Sequence, residues 1–178
     1  IEVIDEMAFM GCGNLESITV EEGNPYFHAV NNCLIETATG KLILGCKNSV
    51  IPDDGSVRTI GFGAFYECEG LTEITIPASV ETIGEDAFSD CAKLKSVRIE
   101  DAETPLKMGV LHDGYYVEIK RGPFYDSPLQ NIYMGRDIEC LSNGEPFTPD
   151  TKDEGAFAHK YANTEGLVVK AAIGPKVT

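Results

Sequence analysis

Three histidines and six cysteines are the side chains of this 178-residue sequence with the widest chemical range, as metal ligands, bases or nucleophiles. The histidines, His28, His112 and His159, lie in different segments and lack the spacing of an HExxH site or a linear metal cluster. The cysteines show no CxxC pair of the kind that binds zinc, and they are too sparse for a small disulfide scaffold. We therefore interpret the histidines as surface residues. The role of the cysteines must be inferred from their positions in the sequence.

Adjacent acidic residues occur at Asp53-Asp54, Glu85-Asp86 and Asp153-Glu154, and they could hold calcium if their loops converged. None of them matches the twelve-residue calcium loop with its spaced ligands, so we interpret these pairs as solvated charge. The segment Gly61-Phe62-Gly63 lacks the third glycine and the lysine of a phosphate-binding loop. These residues predict a protein that is not an enzyme and that has no catalytic residues, metal or cofactor.

The charge composition limits the classes of binding partner. The sequence has 14 Lys and Arg and 29 Asp and Glu, which gives a formal net charge of −15. Such an acidic surface predicts no binding to nucleic acid or to an anionic membrane. Apolar runs long enough to span a membrane are absent, and residues 1–9 lack the basic start and apolar core of an export signal. We expect no membrane insertion within this segment and any export signal to lie outside it.

An internal repeat organises the chain. Ala-Phe is followed three residues later by Cys in three places, and each copy continues with Leu six residues after the Phe. These positions are Phe9, Phe65 and Phe88; Cys12, Cys68 and Cys91; Leu15, Leu71 and Leu94. The segment Ile74-Thr75-Ile76 alternates apolar and polar residues, as a strand with one inward face requires. The repeat predicts stacked units, since one unit cannot bury its apolar face alone.

The segment from Gly84 to Cys91 places Ala87 and Cys91 four residues apart, which predicts a brief α or 3₁₀ turn. Stacked units then put each Phe over the next Phe and each Cys over the next Cys. We interpret the repeated cysteines as small, buried and reduced, because side chains that project in parallel give a poor disulfide dihedral. Catalysis or metal binding by these thiols is the alternative.

The unit from Val80 to Val97 resembles the BspA-like leucine-rich repeat. A looser copy starts at Phe124, where Ser127 replaces the Cys and Leu129 comes five residues after the Phe. The resemblance implies an α/β fold, a right-handed leucine-rich-repeat solenoid of short parallel strands with brief helical turns, interrupted by β-hairpin insertions. We expect one domain over residues 1–178 that belongs to a longer array, because neither end has the polar face of a terminal cap. Whether Phe147 or Phe157 fills the next Phe position stays open.

Two segments interrupt the repeat, at residues 21–48 and 101–122. In the first, two apolar runs flank Thr39-Gly40-Lys41 and predict a β-hairpin that extends a sheet or contacts a ligand. In the second, Tyr115 and Tyr116 follow an Asp-Gly turn beside His112. These three are the candidate ligand-binding residues, because aromatic side chains on a loop offer large contact area at low entropic cost. Packing of the tyrosines in a local hairpin core is the alternative.

Proteins of the BspA-like family are exported or displayed on the surface of bacteria and some protists, and several are implicated in adhesion. The resemblance therefore implies a non-catalytic scaffold of a bacterial cell-surface or secreted protein that binds an extracellular protein, such as a host matrix or cell-surface protein. A glycan-binding surface protein and a structural spacer for another domain are the alternatives. The absence of Trp weighs against glycan binding, which commonly uses aromatic platforms. The redox states of Cys33, Cys46 and Cys140 stay open.

Overall fold

The computed structural model describes residues 1–109, 122–142, 145–146, 170–175 and 177. Twelve short strands and no helix occur in these ranges. The strands are β1 (Phe27–Val30), β2 (Cys33–Glu36), β3 (Lys41–Leu44), β4 (Thr59–Ile60), β5 (Glu73–Ile76), β6 (Thr82–Gly84), β7 (Ser96–Ile99), β8 (Leu106–Gly109), β9 (Asn131–Met134), β10 (Ile138–Ser142), β11 (Glu145–Pro146) and β12 (Lys170–Ile173).

The strands form two sheets. Sheet A has the order β1-β2-β3-β4-β6-β8-β10-β11 and is parallel from β3 to β10, whereas sheet B has the order β12-β9-β7-β5 and is parallel throughout. From β4 to β9 the chain alternates between the two sheets, so one coil consists of one strand from each. This arrangement confirms the prediction of stacked units with short parallel strands.

The core lies between the sheets and consists of ladders of equivalent residues. The rings of Phe65 and Phe88 stack at a centroid distance of 4.8 Å, and those of Phe88 and Phe124 stack at 4.9 Å. Both spacings match the separation of neighbouring strands, as expected for side chains that repeat once per coil. Leu71 and Leu94 are buried in the same core. The predicted Phe ladder is therefore confirmed for these three positions, including the looser copy.

The predicted helical turn between Gly84 and Cys91 is not confirmed. Asp86 and Asp90 have φ angles of 54° and 56°, which a right-handed helix cannot contain. The Phe88 N–H donates to the carbonyl of Pro123 in the next coil at 2.6 Å, and the Asp90 N–H donates to the carbonyl of Tyr125 at 2.9 Å. In a helix these amide groups would form hydrogen bonds within the segment, whereas here they form hydrogen bonds to the next coil. The segment is therefore a run of β-turns, and its successive copies pair through the backbone as neighbouring strands do.

The first copy of the repeat does not join the ladders. Phe9 and Leu15 are only partly buried, Cys12 is exposed, and residues 15–20 form no strand. Phe9 and Leu15 pack instead with a separate apolar cluster on β1, β2 and β3. The predictions that Cys12 is a buried ladder residue, and that Phe9 and Leu15 continue the main ladders, are therefore wrong. These strands separate the first copy from the stack that begins at Phe65.

The predicted hairpin is present as β2 and β3, and β1 adds a third antiparallel strand through a turn at Asn31 and Asn32. These two residues have φ angles of 49° and 60°, as a tight turn between twisted strands requires. Strand β3 pairs with β4 in parallel. The three-stranded segment, which we call the meander, therefore extends sheet A.

The second interruption begins later than residue 101. Leu106–Gly109 forms β8 and pairs in register with β6, where Gly109 lies opposite Gly84. Gly84 precedes Phe88 by four positions and Gly109 precedes Phe124 by fifteen, so the additional residues follow Gly109. His112, Tyr115 and Tyr116 lie outside the described residues, as do Phe147 and Phe157.

Candidate functional site

The outward face of sheet B presents two rows of polar side chains. Residues that point inward alternate with residues that point outward along each strand, so Thr75 and Arg98 are exposed while their neighbours are buried. The strand register brings the outward residues of successive coils side by side. One row contains Glu73, Ser96 and Asn131, and the other contains Thr75, Arg98 and Tyr133 and continues to the apolar Ala172.

Arg98 and Tyr133 form the most ordered part of this face. The guanidinium carbon of Arg98 lies 4.1 Å from the centroid of the Tyr133 ring, within the range of a cation–π contact. The Tyr133 hydroxyl donates to Oδ1 of Asp101 at 2.8 Å. This hydrogen bond to a carboxylate raises the pKa of Tyr133 above its ordinary value. These two contacts join the three side chains in one connected group.

In the neighbouring row, Nδ2 of Asn131 donates to Oγ of Ser96 at 3.3 Å. A shallow hollow of about 420 Å³ lies between the two rows and is open to solvent. Its walls offer a guanidinium group, amide and hydroxyl groups, and the Glu73 carboxylate. These are groups for hydrogen bonding and charge recognition, and the hollow has no thiol or imidazole.

The buried cysteines belong to the core. Sγ of Cys91 donates to the Phe65 carbonyl of the preceding coil at 3.0 Å. At the equivalent place one coil later, Oγ of Ser127 donates to the Phe88 carbonyl at 2.6 Å. The Cys position thus requires a small side chain with a donor, which both residue types supply. Burial raises the pKa of Cys91 to about 12 and that of Cys68 to about 11, which favours the protonated form of both thiols at neutral pH.

Other chemically capable side chains are dispersed. Nδ1 of His28 on β1 lies 2.9 Å from Oγ1 of Thr37 and has no second imidazole beside it in the described ranges. Glu85 and Asp86 are buried, at 3% and 8% exposure, so the interpretation of this pair as solvated charge is wrong. In the part of the chain that the structure describes, no three His, Cys, Asp or Glu side chains converge as a metal site would require.

The sequence alone did not single out Arg98, Tyr133 or Asp101 as a group. Arg98 and Tyr133 are 35 positions apart, and only the register of β7 with β9 brings them together. One available signal is the alternation along each repeat, which marks the second residue of Ile74-Thr75-Ile76 and its equivalents as outward. Aligning these outward positions across copies would have placed Thr75 beside Arg98, whereas Tyr133 lies in the looser copy.

The two parallel sheets and the stacked Phe turns define the protein as a solenoid built from one repeating coil, with a polar outward face on sheet B. The sequence profile of the BspA type leucine rich repeat region matches six copies over residues 1–41 and 44–112. The chain therefore belongs to this leucine-rich-repeat family. The matched region includes most of the meander and all of β8, so both are parts of the repeat region.

Among solved structures, the chain is similar to the crystal structure of the pneumococcal vaccine antigen PcpA, with 14% sequence identity and a TM-score of 0.44. The similarity covers 88% of this chain and 44% of that chain. No curated protein matches the chain significantly. The described residues contain no helix of the length and apolar character needed to cross a membrane.

Proposed function

We propose that the chain is a non-catalytic protein-binding scaffold of a bacterial cell-surface or secreted protein, and that the outward face of sheet B is its contact surface. The observation that carries the proposal is the connected group of Arg98, Tyr133 and Asp101, joined by a cation–π contact and a hydrogen bond on a parallel sheet. A preorganised set of polar groups binds at a lower entropic cost than mobile side chains do. Repeats of this family, moreover, carry no catalytic motif.

An extracellular protein, such as a matrix protein or a protein on a neighbouring cell, is the proposed ligand. Arg and Tyr are enriched at the energetically dominant positions of protein interfaces, and both stand at the centre of this face. A glycan is the second candidate, yet it needs an open aromatic surface for stacking. One face of the Tyr133 ring is covered by Arg98, which favours a protein ligand over a sugar.

Tyr115, Tyr116 and His112 form a second proposed contact region. They lie between β8 and Phe124, in a segment that the regular coil does not require. Insertions in repeat proteins can vary without disturbing the stack, and they commonly carry binding residues.

The test is a binding screen of this chain against extracellular-matrix proteins and glycans, followed by two double variants. Arg98→Ala with Tyr133→Ala removes the centre of the face, and Tyr115→Ser with Tyr116→Ser removes the loop aromatics. Lys107→Ala serves as the matched control, because Lys107 is exposed on β8 of sheet A. Loss of a true binding centre should weaken binding by about 2 kcal/mol or more.

Circular dichroism must show that each variant is folded. If the face variant binds every ligand of the screen as tightly as the control does, the sheet B face is not the contact surface. If the loop variant alone loses binding, the tyrosine segment is the site. Binding to glycans alone would favour the second candidate function.

A further inference from the structure

Strand β5 is the edge of sheet B. It pairs with β7 on one side, and no described residue pairs with it as a strand on the other. The first copy of the repeat lies against the meander and supplies no strand to this sheet. An edge strand exposes a row of unpaired backbone groups that can pair with another chain.

The hydrogen bonds to β7 show which groups of β5 are free. The Ser96 N–H donates to the Thr72 carbonyl at 3.4 Å, and the Glu100 N–H donates to the Ile76 carbonyl at 3.0 Å. Backbone groups of successive residues in a strand point to alternate sides. The N–H and C=O groups of Glu73 and Thr75 therefore point to the free edge.

A cleft of about 600 Å³ runs along this edge. Residues 71–75 form one wall, and the loop of residues 47–53 forms the opposite wall. Ile51 of that loop is packed in the same core as Ile74, so the loop is held in place without pairing with β5. Val50, at 64% exposure, stands at the rim as an apolar contact. The cleft thus offers unpaired backbone groups beside an apolar side chain.

The cleft is also acidic. Asp53, Glu73 and Glu100 line it, and Lys47, the one cation among the described lining residues, forms an ion pair with Glu16. Glu100 interacts with the buried Arg136, so Asp53 and Glu73 carry the uncompensated negative charge. A segment that carries Lys or Arg fits this charge, and a second copy of this chain does not, because each copy has a formal net charge of −15.

We propose that the free edge of β5 takes an extended segment of another protein, with basic residues alternating with apolar ones, as an added β-strand. The backbone of Glu73 and Thr75 would supply the strand hydrogen bonds, and the acidic side chains would select the basic residues. The site shares Glu73 and Thr75 with the outward face of sheet B, and it differs from that face in using the backbone groups at the edge of the sheet.

The probe is a synthetic hexapeptide of alternating Lys and Val, with the alternating Glu and Val peptide as its charge-reversed partner. Amide hydrogen exchange measured by NMR reads the edge directly. In the free protein, the amides of Glu73 and Thr75 should exchange rapidly while those of Ile74 and Ile76 are protected. Saturating Lys-Val peptide should slow exchange at Glu73 and Thr75. Protection of both amides without peptide, or unchanged exchange with it, would overturn the proposal.

Thr75→Pro removes the edge N–H, and Thr75→Ala is the matched control that keeps it. The Pro variant should bind the Lys-Val peptide about tenfold more weakly than the Ala variant, the loss expected for one strand hydrogen bond. If the Pro variant does not fold, two peptides N-methylated on alternate residues test the reciprocal bonds, in which peptide N–H groups donate to the carbonyls of Glu73 and Thr75. The peptide whose methyl groups replace these donors should lose affinity, and the peptide methylated on the other residues should not. Equal affinities in these comparisons would contradict strand addition.

Asp53→Lys with Glu73→Lys should weaken binding of the Lys-Val peptide and strengthen binding of the Glu-Val peptide. Arg98→Ala with Tyr133→Ala should not weaken Lys-Val binding, because it removes a cation beside Thr75 and leaves the backbone of the edge intact. This result separates strand addition from binding centred on Arg98 and Tyr133. Sedimentation velocity tests the remaining occupant, since a dimer that Thr75→Pro abolishes would show that a second copy uses the edge. That result would overturn the proposal of a basic segment.

Discussion

At the scale of single residues, the hydrogen bonds of the Cys position explain why Ser127 can replace a cysteine in the coil that contains Phe124. Oγ of Ser127 accepts a hydrogen bond from the Cys91 N–H at 3.1 Å and donates to the Phe88 carbonyl. A thiol at the equivalent position in the preceding coil makes the same bond to Phe65. The property that the two residues share is a small side chain with a hydrogen-bond donor in a buried site.

Ser127→Ala should therefore destabilise the protein by about 2 kcal/mol, because it leaves two buried backbone groups without these partners. Ser127→Cys should cost less, since a thiol occupies the equivalent site at Cys91. Equilibrium urea unfolding of both variants measures the difference. Equal losses for Ala and Cys would show that the side-chain donor does not matter.

The buried thiols also predict how stability depends on pH. Burial raises the pKa of Cys91 from an ordinary value of 9.0 to about 12, so the unfolded chain loses this proton at a lower pH than the folded chain does. Stability from this group is complete below pH 9 and falls as pH rises toward 12. For each such thiol, the free energy of unfolding should fall by about 1 kcal/mol between pH 9 and pH 10.

Cys91→Ser supplies the control for this titration, because it removes one ionising group and keeps a hydroxyl donor. Under reducing conditions, the free energy of unfolding of this variant should decline less steeply with pH than that of the unchanged chain. Parallel pH profiles for the two proteins would show that Cys91 ionises as readily in the folded state as in the unfolded one.

The Phe ladder permits a direct comparison within one chain. Phe88 has stacked rings on both sides, and Phe88→Ala should cost about 3–5 kcal/mol, because the neighbouring rings cannot close the hole. Phe9→Ala should cost clearly less, since Phe9 is partly exposed and lies outside the ladder. Urea denaturation measures both losses. A loss below about 1 kcal/mol at Phe88 would contradict its burial.

At the scale of elements, the repeat predicted the parallel strands and the Phe ladder, because its offsets recur once per coil and each coil meets the same neighbours. The turn was misassigned because the spacing of Ala87 and Cys91 fits a helix as well as stacked β-turns. Asp86 and Asp90 adopt positive φ angles, and aspartate also enters right-handed helices, so the residue types did not decide.

The position of the first copy could not be read from its offsets, which equal those of the later copies. The first copy differs from the later copies in the residues that pack against it. The meander separates Phe9 from Phe65, and Gly45 lies beside the Phe65 ring where a neighbouring Phe would otherwise stack. The pairing of Arg98 with Tyr133 likewise depends on strand register across two copies of unequal length. Both are consequences of long-range packing that a local pattern does not contain.

Substitution of Gly45 tests how closely the chain that follows β3 packs against the Phe65 ring. A Cβ atom at this position would lie 2.0 Å from the Phe65 ring, so Gly45→Ala must displace the ring and should cost about 2–3 kcal/mol. Gly23→Ala is the control, because its Cβ would meet nothing within 4 Å and only its φ of 87° opposes the change, at about 1 kcal/mol.

Urea unfolding measures both glycine variants, and a third protein tests the mechanism. Phe65→Leu removes the outer ring atoms that the new Cβ would meet, so it should offset part of the Gly45→Ala loss when the two are combined. Strictly additive losses would indicate that the ring does not limit residue 45.

At the scale of the whole molecule, the excess of acidic residues opposes the compact state that the ladders stabilise. The described surface has three ion pairs, Lys41 with Glu6, Lys47 with Glu16, and Arg58 with Glu81. An exposed pair such as Arg58 with Glu81 contributes about 0–1 kcal/mol, whereas Lys41 and Glu6 are partly buried. The remaining excess of negative charge repels itself over the length of the solenoid.

Salt should therefore stabilise this protein, because screening weakens the net repulsion more than it weakens three surface pairs. We expect the melting temperature to rise by a few degrees, about 1 kcal/mol, between about 10 mM and 200 mM NaCl. Calorimetry in NaCl and in KCl measures the shift, and agreement between the two salts identifies screening as the cause. A melting temperature that falls with salt would mean that attractive pairs dominate the charge distribution.

Neutralising the Arg58 pair with Arg58→Gln and Glu81→Gln should leave the salt-dependent rise of the melting temperature almost unchanged, because that pair is exposed and the net charge stays the same.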